Sequence, residues 1–298
     1  MSRINSLRIA LTNSCNLNCF YCNKEGYMAK YNHINIENVI LLIQYAIMYF
    51  DIKEVKYTGG EPFLSDNLIQ LVSKVHKTYK KLTQSIVTNG TYPELLKQLI
   101  TKNIPIEITI SLPTIDNDKY FQLTNHKEVN KVIKTLQYLI ESNHSIKINY
   151  VLIKTVNDDY KNIEAMIDKY VIPYQKISLR FIQPCHNNIN KLDAKYNVTD
   201  AEFKALVDKK GFIEISNDRS KIIYTNGSRK ITFFKFFCYE SCSRCPHDKN
   251  SIWAYTDGTI SICCYDNFSF SRKIEKFEAT EIGRAFVELC NIHETNNS

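Results

Sequence analysis

Six apolar, β-branched runs alternate with segments of helical periodicity between residues 7 and 182, and this alternation is the strongest constraint on the fold. Such strands, separated by helices of about 10–15 residues, predict a parallel sheet covered by helices. The sequence therefore predicts an α/β protein with a partial barrel. The strands are predicted at 7–11, 54–58, 84–88, 106–112, 146–153 and 176–182, and the helices at 36–50, 67–79, 93–101, 129–142 and 158–170.

The pattern changes near residue 199, where Thr199 and Asp200 are candidate caps of a helix. Short β-like runs follow, then a hairpin with Asp257-Gly258 at its turn and a last helix at 280–290. This part predicts a smaller antiparallel α+β element. We expect a barrel at 1–190 and a second domain at 191–298. The β-like runs are 212–216, 221–225 and 230–236.

Polar and glycine-rich segments follow the predicted strands rather than precede them. They are the cysteine-containing segment after 7–11, GGEP at 59–62, TNG at 88–90, SLP at 111–113 and QPC at 183–185. In α/β barrels the chemistry lies at the carboxyl ends of the strands. The concentration of these segments at one face therefore predicts an enzyme.

Cys15, Cys19 and Cys22 have the spacing C-x3-C-x2-C directly after the first strand. Three thiolates can hold three irons of a cubane cluster and leave the fourth iron open to a ligand. The alternatives are a zinc knuckle or a redox pair, but zinc prefers four ligands. With no fourth ligand nearby, the spacing favours the open cubane.

The cysteines and the net charge indicate the cellular compartment of the protein and the classes of partner to expect. The ten cysteines are clustered, the N-terminus lacks a signal-peptide pattern, and no apolar run approaches the roughly 18 residues that span a bilayer. We therefore expect a cytoplasmic protein with no membrane partner. The net charge of +7 is mild and its lysines are scattered, so we expect a solvated surface and no nucleic acid.

Two features in the sequence suit an organic ligand next to the cysteines, through an adenine and through an amino group. Tyr21 can pack over an adenine, and the glycines of Gly59-Gly60-Glu61-Pro62 let a backbone approach a ligand closely. With the cysteine spacing, they resemble the radical SAM superfamily. The resemblance implies a TIM-like (β/α)6 barrel and a 4Fe-4S cluster that binds S-adenosylmethionine (SAM). It also implies reductive cleavage of SAM to a 5′-deoxyadenosyl radical that abstracts hydrogen from the substrate.

Within that superfamily the chain resembles the GTP 3′,8-cyclases (MoaA) of molybdenum cofactor biosynthesis. This resemblance is carried by the segments SLRIALTNSCNLNCFYC, VKYTGGEPFLSDNL, IVTNG, EITISLPTIDNDKYFQLT, IKINYVLIKTVNDDY and SLRFIQP. It implies that Gly60 and Glu61 contact the methionine amino group. It also implies that Thr88, Ser111 and Asn149 surround the methionine carboxylate, ribose or adenine. Alternatively, Asn149 is a satisfied polar group inside the barrel.

The resemblance extends to a second cysteine set. It implies an auxiliary 4Fe-4S cluster in a twitch/SPASM-like domain, held by Cys242, Cys245 and Cys263. Cys238 could be a fourth ligand, which would close the cluster to substrate. Cys264 would point to the opposite face of a strand from Cys263. A structural zinc site is the alternative.

The chain departs from the cyclases where they bind triphosphate. Ser65 stands at a position where they carry an arginine, and Cys245 is followed by PHDKNSIWAY rather than an arginine pair. Arg8 and Arg180 are left as candidate substrate anion ligands, or as barrel-rim salt bridges. We therefore expect a small nucleotide- or sugar-like substrate. A peptide substrate and a divergent GTP cyclase are the alternatives, and we expect flavodoxin or ferredoxin as electron donor.

Cys185, just beyond the sixth strand, is a candidate hydrogen-atom donor or cluster ligand, although a buried thiol is the simpler interpretation. His186 beside it is a weak candidate. We expect Cys290, Trp253 and the run 233–237 to lie in the core.

Overall fold

A computed structural model of the protein describes residues 4–24, 33–185, 192–236, 250–263 and 270–295. Four of the predicted metal-ligand candidates, Cys238, Cys242, Cys245 and Cys264, lie outside the described residues, as does His186. In the part of the chain that is described, no helix is long and apolar enough to cross a membrane.

Twelve strands of the described residues form one sheet in the order β12-β11-β10-β1-β2-β3-β4-β5-β6-β9-β8-β7. The strands are β1 (Ser6–Thr12), β2 (Glu54–Gly59), β3 (Thr83–Thr88), β4 (Glu107–Ser111), β5 (Ile146–Val151), β6 (Ile177–Ile182), β7 (Ile213–Asn217), β8 (Lys221–Asn226), β9 (Arg229–Phe234), β10 (Ser251–Ala254), β11 (Thr259–Ser261) and β12 (Ser271–Lys273). The helices are α1 (Ile36–Phe50), α2 (Leu68–Thr78), α3 (Pro93–Ile100), α4 (Asn117–Thr124), α5 (Val129–Glu141), α6 (Tyr160–Met166), α7 (Asp200–Asp208) and α8 (Ala279–Thr295).

The six predicted strand–helix units are confirmed, since β1 to β6 are parallel neighbours in chain order. One helix was missed. α4 begins at its N-cap Asp116, whose carboxylate accepts a hydrogen bond from the Lys119 N–H, and it ends at the left-handed Asn125. It has only eight residues and few apolar ones, so its periodicity is weak in the sequence.

The strands after residue 191 do not form a sheet of their own. β9 pairs in parallel with β6, and β10 pairs in parallel with β1. The predicted antiparallel pairs then continue outward, as β9-β8-β7 on one side and β10-β11-β12 on the other. The barrel therefore contains eight parallel strands among the described residues, two of them from the C-terminal part.

The two faces of the barrel strands differ sharply. Outward side chains are apolar and fully buried against the helices; they include Leu7, Ile9, Val55, Tyr57, Ile86, Ile108, Ile148, Leu179, Phe181 and Phe233. By the register of the pairs, the inward side chains are mostly polar or charged; they include Arg8, Glu54, Lys56, Thr58, Ser85, Glu107, Thr109, Lys147, Asn149, Arg180 and Thr232. We call the space that they surround the lumen.

Phe203 of α7 packs the C-terminal strands onto the barrel. Its ring centroid lies 4.4 Å from that of Phe233 on β9, 4.9 Å from that of Phe181 on β6 and 5.7 Å from that of Tyr224 on β8. All four side chains are fully buried. The α7 helix starts with a capping box, in which Thr199 and Glu202 exchange hydrogen bonds.

We expect Phe203→Ala to lower the free energy of unfolding by about 3–5 kcal/mol, because it opens a cavity among three aromatic rings. Urea denaturation of anaerobic protein, followed by far-UV circular dichroism, measures this. Phe203→Leu, which keeps most of the volume, is the matched control and should cost clearly less. Equal stability of wild type and Phe203→Ala would show that α7 does not anchor the C-terminal strands.

Candidate functional site

The cysteine loop, which we define as residues 13–24, follows β1. It is in direct contact with the loop after β2. The N–H of Gly60 donates to the carbonyl of Thr12 at 2.7 Å, and the N–H of Glu61 donates to the carbonyl of Ser14 at 2.8 Å. A Cβ on Gly60 would lie 2.1 Å from the Ser14 oxygen, and one on Gly59 would lie 2.2 Å from the Thr12 oxygen. The two glycines therefore allow two backbones to touch.

Glu61 ties these loops to the loop after β3. Its fully buried carboxylate accepts hydrogen bonds from Thr88 Oγ1 at 2.6 Å, from the Asn89 N–H at 2.7 Å and from the Phe63 N–H at 3.1 Å. Burial raises the pKa of Glu61 to about 7, and the three donors act against that rise. The carboxylate of Glu61 and the hydroxyl of Thr88 are thus engaged with the protein, and their predicted contacts with SAM remain predictions.

Each sulfur of the cysteine loop has a hydrogen-bond donor beside it. The N–H groups of Leu17 and Lys24 lie 3.4 Å from the sulfurs of Cys15 and Cys22, respectively. Cys15 and Cys22 are exposed and Cys19 is half-buried, so the loop is open on one side. Partial burial raises the pKa of the Cys15 thiol. Burial, with the nearby Cys22, raises the pKa of Cys19 to about 12.

This donor set fits a 4Fe-4S cluster. A positive metal centre would offset the cost of placing thiolates beside one another in a partly buried position, and N–H donors suit metal-bound sulfur. Within the described residues, no three cysteine, histidine or acidic side chains lie close enough together to bind a single metal ion. In a cubane, by contrast, the three cysteines bind three different irons.

Tyr21 turns its hydroxyl toward the cysteine loop itself. The hydroxyl is buried beside the Cys19 sulfur, to which it is hydrogen bonded, and burial raises the pKa of Tyr21 well above its usual value. The ring is half-buried and lies edge-on to Phe20, with 5.7 Å between centroids. Its predicted packing over an adenine remains a prediction.

Two arginines, Arg8 on β1 and Arg180 on β6, extend into the lumen. The Nε of Arg180 donates to Asn149 Oδ1 at 2.9 Å, and its Nη2 lies 3.4 Å from Thr109 Oγ1. The Arg8 guanidinium lies 4.7 Å from the centroid of Trp253. Burial, opposed by Glu107 and reinforced by Arg8, lowers the pKa of Arg180 to about 10. The two hydrogen bonds given for Arg180 go to neutral side-chain oxygens, and its predicted role as an anion ligand or in a rim salt bridge stays a prediction.

Two aromatic residues that were expected in the core, Trp253 and Phe234, face the lumen instead, as does Asn149. Trp253, expected in the core, is half-buried and pairs in register with Arg8. Phe234 also faces inward, 5.9 Å from the Arg180 guanidinium, whereas Phe233 lies in the core as expected. The bond from Arg180 agrees with the alternative that Asn149 is a satisfied polar group. Ser111 lies opposite Asn149 on β4.

A cavity of about 730 Å³ opens at the amino ends of β2 to β5. Its lining includes Glu54, Glu107 and Lys147, which also face the lumen, together with Thr83 and His144. Lys147 and Glu107 form a salt bridge at 2.5 Å. The lumen is therefore polar at its mid-height and open to solvent at this end.

Cys263 and Cys185 lie at opposite ends of the barrel. Cys263 follows β11, and extending the pairing of Trp253 with Ser261 by two residues places it opposite Ser251, beside the start of β1. Cys15 lies beyond the other end of β1, about 20 Å away at 3.3 Å per strand residue. Cys185 is half-buried beyond the carboxyl end of β6. Cys290, expected in the core, is half-buried on α8.

Three polar residues around the cysteine loop were not predicted as site residues. Asn16, Asn89 and Thr91 form a closed set of hydrogen bonds next to Cys15. Asn89 lies in the TNG segment at 88–90, so its place after a strand was visible in the sequence, but its contact with the cysteine loop depends on the fold.

We expect Gly60→Ala to separate the loops after β1 and β2, because its Cβ would lie 2.1 Å from the Ser14 carbonyl oxygen. Iron bound after anaerobic reconstitution should fall by up to about four per chain, the content of one cubane, with a loss of stability of about 1–3 kcal/mol, the usual cost of overpacking. Iron analysis and thermal unfolding measure both. In the control Gly227→Ala, the Cβ meets nothing within 4 Å, so full iron loading is expected. Because Gly227 has a φ of +60°, this variant is a control for iron content and not for stability. Full iron loading of Gly60→Ala would contradict the close contact.

The chain is similar in sequence to known proteins. The chain is 29% identical to a GTP 3′,8-cyclase of Clostridium acetobutylicum over 99% of this chain and 95% of that protein. It is 32% identical to a probable GTP 3′,8-cyclase of Pyrococcus abyssi over 52% of this chain and 50% of that protein. The second match therefore spans about half the length of that relative.

Solved structures share the fold. Streptococcus suis SuiB bound to precursor peptide SuiA matches with a TM-score of 0.66 and 17% identity, over 89% of this chain and 60% of SuiB. The chain thus spans less than two thirds of SuiB. The structure of anSMEcpe with bound AdoMet matches with a TM-score of 0.65 and 14% identity, over 99% of this chain and 84% of that one.

The family model described as "Radical SAM superfamily" matches residues 9–167, from β1 through α6 to the start of the π-helical turn at Ile167–Val171. The matched part contains the cysteine loop, the glycine pair and the loops after β3, β4 and β5. The chain therefore belongs to the radical SAM superfamily, whose enzymes use a 4Fe-4S cluster and SAM.

Proposed function

We propose that this radical SAM enzyme acts on a small anionic substrate, of nucleotide or sugar type, held in the lumen between the SAM-binding cluster and an auxiliary 4Fe-4S cluster. The observation that carries the proposal is the position of Arg8 and Arg180, which point into the lumen from β1 and β6. The SAM-binding cluster and SAM together supply hydrogen-atom abstraction. The residues of the chain bind and orient the substrate and exclude water.

The charge of Arg180 favours an anion. Its pKa is lowered mainly by burial; Glu107 opposes this change, and the guanidinium of Arg8 acts in the same direction as burial. The described partners of its side chain are neutral oxygens of Asn149 and Thr109. A phosphate or carboxylate between the two arginines would offset the lost hydration of Arg180 and its repulsion from Arg8. A planar guanidinium binds such groups bidentately.

The side chains beside the two arginines favour a small molecule that contains a ring. Trp253 and Phe234 add two aromatic faces beside the arginines, on which a base or sugar ring could pack. The roles of Ser111 and Asn149 toward SAM, and of Cys185 toward a substrate radical, remain part of this proposal.

The auxiliary cluster would lie at the amino end of the barrel. Cys263 is at that end, and Cys238, Cys242 and Cys245 fall in the segment that joins β9 to β10. A substrate in the lumen would then lie between two clusters. We also propose a division at residue 190, with a C-terminal cluster domain at 191–298 whose β9 and β10 extend the barrel of 1–190. The proposal includes a cytoplasmic location, and flavodoxin or ferredoxin as electron donor.

A divergent GTP 3′,8-cyclase is the alternative favoured by the similarity over nearly the whole chain. Against it, Ser65, at the position of a cyclase arginine, caps the short 3-10 helix Pro62–Leu64 and supplies no positive charge. A peptide substrate is the other alternative. The likeness to SuiB, at 17% identity, carries the fold alone and does not favour it.

We expect anaerobically reconstituted wild type to bind about eight irons per chain, four in each cubane. Cys15→Ala should lose about four irons and all 5′-deoxyadenosine formation with dithionite, because the SAM-binding cluster is lost. Cys263→Ala should lose about four irons while retaining a SAM-responsive electron paramagnetic resonance signal. About four irons with one zinc in wild type, by metal analysis, would remove the auxiliary cluster from the proposal.

We expect Arg180→Ala to weaken binding of a phosphorylated ligand about 10- to 100-fold, the loss of one charged hydrogen-bonding partner at about 1.5–3 kcal/mol. Isothermal titration with GTP, ATP and UDP-glucose identifies a ligand and measures the loss. Arg272→Ala is the control, since Arg272 pairs with Glu288 of α8 away from the lumen. GTP binding with turnover to a cyclised product would favour the cyclase, and wild-type binding of no phosphorylated ligand would count against the proposal.

A further inference from the structure

Asn89 joins the loop after β3 to the cysteine loop through a closed ring of three hydrogen bonds. Its Nδ2 donates to Asn16 Oδ1 at 2.9 Å, and Asn16 Nδ2 donates to Thr91 Oγ1 at 2.9 Å. The Thr91 hydroxyl completes the ring by donating to Asn89 Oδ1 at 2.7 Å. Asn89 and Thr91 are buried, with 9% and 4% of their surface exposed. Two of its three side chains are therefore shielded from competing water, whereas Asn16 is half-buried.

The orientation of the Asn89 amide follows from its partners. Its oxygen accepts from the Thr91 N–H at 3.0 Å and from the Thr91 hydroxyl, and the backbone N–H cannot act as an acceptor. If the amide were turned over, its NH2 group would face that N–H, and its oxygen would face the Asn16 oxygen. The nitrogen must therefore lie on the side of Asn16 and Cys15.

The same nitrogen lies 3.8 Å from the Cys15 sulfur. An amide nitrogen carries two N–H groups, so one can bind Asn16 while the other points at the sulfur. Cys15 also receives the N–H of Leu17 within its own loop. The Asn89 contact is different in kind, because it comes from another strand and is held by the ring.

We propose that Asn89 is a positioning residue for the SAM-binding cluster: its side-chain N–H donates to the Cys15 thiolate, orients that ligand and makes the cluster easier to reduce. A donor to a cluster sulfur stabilises the negative charge that the cluster gains with one electron, and such donors are among the factors that set iron–sulfur potentials. This inference rests on Cys15 being a cluster ligand.

The test is a potentiometric titration of the reconstituted cluster without SAM, followed by electron paramagnetic resonance. We expect the midpoint potential of Asn89→Ala to shift to more negative values, with unchanged iron per chain. A purely structural role would change iron content or stability without moving the potential. Asn130→Ala, on the exposed side of α5, is the matched control and should leave the potential unchanged.

Two further variants separate the ring from the donor. Thr91→Val breaks the ring but keeps the Thr91 N–H on the Asn89 oxygen, so the potential should stay near that of wild type. Asn89→Asp is nearly isosteric, keeps an oxygen toward residue 91 and places a carboxylate oxygen beside the sulfur, so its shift should be the largest. It supplies the comparison if Asn89→Ala fails to load iron.

Equal potentials in wild type, Asn89→Ala and Asn89→Asp would overturn the inference, as would a shift toward positive values in Asn89→Asp. These outcomes differ from failure of the proposed function. A wild type that binds iron at Cys15 but no anionic substrate leaves the Asn89 prediction testable as it stands. A Cys15→Ala variant that retains its full iron and its SAM-responsive signal would overturn the premise that Cys15 is a ligand.

Discussion

Two loops meet backbone to backbone at the carboxyl end of the barrel, and the position of the cysteine loop depends on that contact. The N–H groups of Gly60 and Glu61 donate to the carbonyls of Thr12 and Ser14, at 2.7 and 2.8 Å. The buried carboxylate of Glu61 in turn accepts hydrogen bonds from Thr88 and Asn89 in the loop after β3. Three consecutive strand ends thus share one hydrogen-bond network, which holds the three cysteines on a rigid support.

The same barrel separates two chemical environments by strand alternation. Outward residues such as Ile9 and Phe181 make the core against the helices. Inward residues at the neighbouring positions, such as Arg8 and Arg180, leave a polar lumen. Because one side of each strand already supplies the buried apolar surface that stabilises the fold, the other side is free to carry charge for a ligand.

Prediction from sequence was strongest where the signal is local. The periodicity of α1 and β1 and the turn at Gly258, whose φ is +88°, depend on neighbouring residues and agree with the structure. It was weaker where partners are far apart in the chain. Trp253 was expected in the core, yet it lies in register with Arg8, more than 200 residues away. Likewise, the contact of the GGEP glycines with the backbone of residues 12–14 was not predicted, and their role toward SAM stays a prediction.

Residue type and local spacing were enough to identify the parallel strand–helix units, the cysteine motif and the membership of the radical SAM superfamily. The folded chain was needed to show that β9 and β10 join the two edges of the barrel, that Arg8 and Arg180 share a lumen, and that Asn89 reaches Cys15. The physical reason is that strand register and loop contact arise from hydrogen bonds between segments distant in the chain, and no local pattern encodes which segments pair.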